Sequence, residues 1–310
     1  MSSLLAWVES PLQVLGAAEW AQARGTRVDI AGRLTAQVER TSNEVAARGA
    51  LFGEQQGFYG IPWGMLATHD HWLVGDGFSG QFRLAAAVLR PRRLTFLDDG
   101  LNSIAFADSL TGERSFTRPR ATRESALSRR VSPLAMDLVR LRAAAGNVEL
   151  FTAFPLGQAR EARLAQLGAG VTGHSFEWLR GTSASSASAD IAEDRVILGT
   201  ARVTDGLVSP SDYIAWVRQE ARGQRTAYLP HRREDEEILG EIARIAGVTV
   251  RRTGLPVELV LAGGGRAREI VSLTSSAVTT LRRVLAGSGS VVLERDVDSS
   301  QDSARSRLAG

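Results

Sequence analysis

The chain of 310 residues contains no cysteine and no lysine. The missing thiol excludes a disulfide framework, a thiolate nucleophile and a thiolate zinc site. The missing lysine excludes Schiff-base chemistry and a standard P-loop, whose lysine reaches nucleotide phosphates. Long apolar runs are absent too, and none approaches the ~20 residues that cross a bilayer. The opening MSSLLAWVESPLQ has no basic n-region and soon reaches Glu9, so no secretory signal is expected. No aromatic residues interleave with the arginine clusters as a nucleic-acid platform would require. These absences predict a cytoplasmic protein that binds no nucleic acid.

What is present is an ordinary globular composition, 44% hydrophobic and 23% charged. The length suggests two domains or one large one. All 37 basic residues are arginine, set against 34 acidic residues, for a net charge of +3. The pI of about 10.1 reflects the very high pKa of arginine. Genome composition bias accounts for such a pattern. The alternative is a basic face, with clusters at Arg90, Arg92 and Arg93 and at Arg129 and Arg130, for an anionic partner such as the inner face of a membrane.

Periodicity alternates along the chain. LLAWV, TRVDIAG, WLV, RLTF and VELFTAF read as short buried strands. Between them, residues 12–24, 36–48 and 82–89 carry helical spacing, with Gly25 as a stop. The Ser/Ala-rich stretch 181–194 reads as a linker. The alternation then restarts. RVILGT, RTAYLP, VTVRR, VELVLA (257–262) and EIVSLT read as strands, and 211–222, 234–246 and 275–287 as helices. Residues 294–310 read as a mobile tail. The prediction is an α/β fold of two Rossmann-like domains, 1–180 and 195–293, with parallel sheets facing a central cleft.

Ligands of open parallel sheets sit beyond the carboxyl ends of the strands, so residues there are the candidates. Asp98 and Asp99, followed by Gly100, offer a general base and a partner to orient it; the competing reading is a cap on the next helix. His231, beside Arg232 and Arg233, suits an anion. Ser275 and Ser276 precede a helix whose free N–H groups add to an anion site. Glu258, in an apolar stretch, could take ribose hydroxyls or simply face solvent from an edge strand. Ser10 and Gln13 end the first strand, where Ser10 and Pro11 also read as a helix start. No metal site is expected: the outer residues of His69-Asp70-His71 lack a third ligand, and Asp296 and Asp298 sit in the polar tail. Gly263–Gly265 reads as a hairpin or loop.

In order, ESPLQ (9–13), LDDG (97–100), PHR (230–232), PVE (256–258) and TSS (274–276) resemble the motifs of bacterial GT-B sialyltransferases. The likeness is to the polysialyltransferase-like and lipooligosaccharide groups. It spans residues 9–276, with 27 residues from His231 to Glu258 and 17 from Glu258 to Ser275. It implies an inverting transfer of sialic acid, or a related keto-sugar, from a CMP-activated donor to a glycan hydroxyl, with no metal and no other cofactor. Asp98 would be the base, with Asp99 the alternative. His231, Ser275 and Ser276 would hold the CMP phosphate, Glu258 the ribose, and Ser10 and Gln13 would lie near donor or acceptor. One departure is that proline precedes the histidine here instead of following it, which leaves the choice among nine- and eight-carbon keto-sugars open. The alternative reading is a catalytically silent GT-B-like protein that binds nucleotide or glycan.

Overall fold

The computed structural model describes residues 3–100, 102–119, 126–182, 191–262 and 268–297. The chain divides into two units, Met1–Ala187 and Ser188–Gly310. The linker residues 183–190, the glycines at 263–265 and the tail from 298 onward, with Asp298, lie outside the described residues.

The first unit begins with β1 (Leu4–Val8), α1 (Pro11–Arg24), β2 (Val28–Arg33), α2 (Ala36–Ala47), β3 (Phe52–Phe58) and α3 (Trp63–Thr68). It continues with β4 (His71–Val74), α4 (Gly80–Leu89), β5 (Arg93–Phe96), α5 (Asn102–Leu110) and α6 (Ala126–Ala144). It ends with β6 (Val148–Thr152), α7 (Gln158–Gln166), β7 (Gly170–Gly173) and α8 (Glu177–Gly181). All seven strands are parallel, in the order β3-β2-β1-β4-β5-β6-β7. Helices on both faces bury nearly all of the central strands, which is why LLAWV and WLV read as unbroken apolar runs. Trp7, Trp72, Phe82 and Phe96 form the centre of the core. Ser10 occupies the cap position of α1, Pro11 its first turn, and Gly25 ends it at φ 57° in the left-handed region.

The second unit holds β8 (Arg195–Leu198), α9 (Pro210–Glu220), β9 (Thr226–Leu229), α10 (Glu236–Ala243) and β10 (Val248–Val250). After these come α11 (Val257–Leu261), β11 (Glu269–Leu273), α12 (Ser276–Val284) and β12 (Val291–Arg295). Its parallel sheet has the order β10-β9-β8-β11-β12. The Ser209 hydroxyl caps α9 by accepting the Asp212 N–H at 3.1 Å. Tyr213, Trp216, Tyr228 and Ile242 lie in its core.

The expected strand at 257–262 is instead the short helix α11, set off by Pro256. Four of its five residues are buried, so no polar face marked its period. Glu258 therefore does not face solvent from a strand. It is buried and accepts the Thr280 hydroxyl of α12 at 2.5 Å. Burial pushes its carboxyl above the ordinary range. The tail also begins later than expected, since Glu294 and Arg295 pair with β11 inside β12. We expect Thr280→Val to leave a buried carboxylate short of its donor and to destabilise the protein by about 1–3 kcal/mol, read from the urea unfolding midpoint.

Candidate functional site

In the first unit the strand order reverses between β1 and β4, and this switch point is where open parallel sheets bind ligands. Three strand ends supply its polar groups. From the first turn of α1, buried Gln13 accepts the backbone N–H groups of Glu9 (2.6 Å) and Ser10 (3.2 Å) on Oε1. Its Nε2 then donates to Asp99 Oδ1 at 2.9 Å. Gln13 is thus a bolt between β1 and the turn after β5. Gly75, at the end of β4, is required here because a Cβ would overlap the Gln13 amide.

The two aspartates after β5 part company. Asp98 is 1% exposed. It accepts from the Thr152 hydroxyl, from the Ala153 N–H at 2.6 Å and from Ser103 Oγ at 3.3 Å, and His174 Nε2 lies 3.2 Å away. Both oxygens are engaged inside the protein, so Asp98 serves as an internal anchor. Asp99 is half-buried and takes N–H groups from Gln13 and from Asn102 Nδ2 at 2.9 Å. Its own N–H donates to Ser103 Oγ at 3.1 Å. Neither reading of the pair as a simple helix cap describes this arrangement. Asp99 is the one that lines a small pocket with an apolar floor of Phe78, Phe96 and Phe106.

A third acid shares that cavity and was missed in the sequence. Asp76, between Gly75 and Gly77 at the end of β4, accepts the Phe78 N–H at 2.9 Å and pairs with Arg118. Burial, and then the charge of Asp99, push its carboxyl up to about 6. The signal was available: Gly-Asp-Gly after a buried strand carries the same information as Asp-Asp-Gly.

In the second unit β9, β8 and β11 are neighbours, so the segments after them share one edge. His231 follows β9. Its Nδ1 accepts the Arg233 N–H at 3.2 Å, which leaves the neutral ring's proton on Nε2. Burial, then Arg232 and Arg233, hold its pKa below the usual value. Its backbone N–H donates to Glu234 Oε2 at 2.8 Å. Glu234 also accepts the Thr200 N–H at 3.1 Å and the Tyr228 hydroxyl, and burial raises its pKa. Glu234 was read only as part of an acidic helix. Ser275 stands at the N-cap of α12 with Ser276 as its first residue, both exposed. The first turn has no acidic residue and the last carries Arg282 and Arg283, the polarity that favours an anion at the N-terminus. Glu258 is turned inward on Thr280 and does not join this edge as a ribose ligand.

His69 and His71 have separate partners, Asp29 and Thr95, and hold no common ligand. One group among the described residues, Glu19, His174 and Glu177, has the types and proximity to hold a metal ion.

No family model and no curated relative matches the chain. Solved structures do. An α/β-galactoside α-2,3-sialyltransferase of Photobacterium phosphoreum is similar at TM-score 0.54 and 9% identity, over 92% of this chain and 89% of that one. A 2,6-sialyltransferase of a Photobacterium species, in complex with CMP and lactose, reaches 0.53 at 8% identity, over 96% and 72%. The UDP-GlcNAc 2-epimerase of Neisseria meningitidis, bound to UDP-GlcNAc, reaches 0.53 at 12% identity, over 98% and 85%. The chain has a GT-B-like architecture. Among the described residues no helix is long and apolar enough to cross a membrane.

Two outcomes follow for the acid pocket. Gly75→Ala displaces the Gln13 amide and costs about 1–3 kcal/mol, measured by thermal unfolding. Asp76, raised from 3.8 to about 6, favours the folded state when protonated. Its contribution is complete below about pH 3.8 and is lost as pH rises through about 6, a swing of up to roughly 3 kcal/mol. Unfolding free energies at pH 4 and pH 7 should show that loss in the wild type and not in Asp76→Asn.

Proposed function

We propose that the protein is an inverting glycosyltransferase that moves sialic acid, or a related keto-sugar, from its CMP-activated donor to a glycan hydroxyl. The observation that carries this reading is the split between Asp98 and Asp99. One carboxylate is consumed as an anchor, while its neighbour is fixed by Gln13 and Asn102 at the switch point beside a small pocket. The sialyltransferases that share the fold support the choice of donor, as does the order of the five motifs.

In this reading Asp99 accepts the proton of the acceptor hydroxyl. The oxygen attacks the anomeric carbon, the bond from that carbon to the phosphate oxygen breaks, and CMP leaves with the electron pair. One displacement inverts the centre. His231 donates its Nε2–H to a phosphate oxygen, and the Ser275 and Ser276 hydroxyls with the free N–H groups of α12 take the others. Fixed donors of this kind are typically worth about 3–4 kcal/mol each in the transition state. Asp76 has no place in the motif resemblance. Two carboxyls in unlike surroundings are also the arrangement of an acid/base pair. That observation favours a second reading, a UDP-sugar epimerase like the one that shares the fold.

A thermal-shift comparison separates them: CMP should raise the melting temperature more than UMP or AMP. A clear preference for UMP would overturn the CMP reading in favour of the epimerase. Asp99→Asn should lower transfer from CMP-sialic acid about 10²–10⁴-fold while leaving stabilisation by CMP in place. Equal rates in the two proteins would remove Asp99 from catalysis.

A further inference from the structure

His174 follows β7 and is held rigidly. Its ring stacks on Phe151, centroids 4.5 Å apart and planes within 6°, and meets the edge of Phe176 at 4.8 Å. The side chain is 3% exposed. Nε2 is spent on Asp98 Oδ2. Nδ1 is buried and has no hydrogen-bond partner. A ring nitrogen in that state forfeits its hydration without return.

What surrounds this ring is acidic. One ligand atom each from His174, Glu19 and Glu177 lie within 4.8 Å of one another. A proton on Nδ1 would find no carboxylate oxygen in hydrogen-bonding geometry. A cation would serve where the proton does not: two bonds of about 2.2 Å join donors up to about 4.4 Å apart, so a swing of a few tenths of an ångström by exposed Glu177 closes the set. We propose that Glu19, His174 and Glu177 form a binding site for a divalent transition-metal ion such as zinc.

The outer contacts support it. A metal-bound histidine commonly gives its second ring nitrogen to a carboxylate, and Asp98 already occupies that place. Glu19 is aimed by the N–H groups of Trp178 and Leu179, at 3.1 and 2.9 Å. Glu177 is aimed by the N–H and hydroxyl of Ser175, at 2.9 and 2.5 Å. Each carboxylate oxygen keeps a lone pair after one such bond. Two carboxylates offset the charge of the ion, and exposed Glu177 leaves a way in and room for water as further ligand. One nitrogen and two carboxylates suit zinc, cobalt or manganese. The ion would tie α1 to the segment after β7, and through His174 it would stiffen the Asp98 anchor. The site is independent of the transferase reading.

The test uses the full-length protein, stripped with a chelator and then titrated with Co²⁺ and Zn²⁺. We expect one ion per chain by elemental analysis after desalting, cobalt d–d absorption in the visible, and a higher melting temperature with zinc. Glu177→Gln, an exposed change, and His174→Asn should each weaken binding by about tenfold or more. Failure of the wild type to retain an ion, or equal retention by Glu177→Gln, would overturn the proposal. If His174→Asn does not fold, Glu177→Gln alone decides.

Discussion

The buried carboxylate of Asp98 is the interaction on which the first unit's site rests. At 1% exposure it is costly to hold as an anion unless every lone pair is used. Here the donors come from three directions: Ser103 at the start of α5, Thr152 and Ala153 at the end of β6, and His174 after β7. One side chain therefore fixes the positions of three neighbouring strand ends. Its sequence neighbour must then point elsewhere. Gly100, at φ 62°, lets the chain turn at once into α5, so Asp99 is left facing the cavity instead of being carried away from it.

The second unit solves the same problem with different residues. Glu234 is its buried acid, and its oxygens collect the Thr200 N–H, the Tyr228 hydroxyl and the His231 N–H. Tyr213 extends the chain through its hydroxyl contact with Tyr228 at 2.6 Å. Gly199 is part of the device, since a Cβ there would overlap both the Glu234 carboxylate and the His231 backbone. In each unit a buried acid sets the backbone beside a more exposed polar residue. Removing the acid would disturb that neighbour through the backbone.

This division explains what could be seen in the sequence. The parallel α/β alternation was legible because strands buried on both faces leave short apolar runs between amphipathic helices. Strand β3 was not, since four of its seven residues are exposed polar or glycine positions. Helix α11 was misread for the opposite reason, being too buried to show a period. Chain position alone singled out Asp99, His231 and the two serines as candidates, all just after strands. It could not tell which of two adjacent aspartates is consumed internally, because that depends on Thr152 and His174, 54 and 76 residues away. Glu258 looked chemical because it is an acid in an apolar run, but the run is a helix and the acid belongs to Thr280.

The electrostatics around His231 suit an anion. Arg232 and Arg233 stand beside the imidazole and disfavour its charged form, and burial adds to the effect. The same positive field attracts a phosphate. Once an anion is bound its charge offsets the arginines, so the penalty that kept the ring neutral falls. In the proposed reading, anion binding and proton uptake at His231 reinforce each other by linkage. The exposed N-terminus of α12 contributes in the same sense without titrating, because its N–H groups carry a fixed partial charge. Fixed N–H groups and positive charge attract an anion without reading a nucleobase, so selectivity for a base has to come from other side chains.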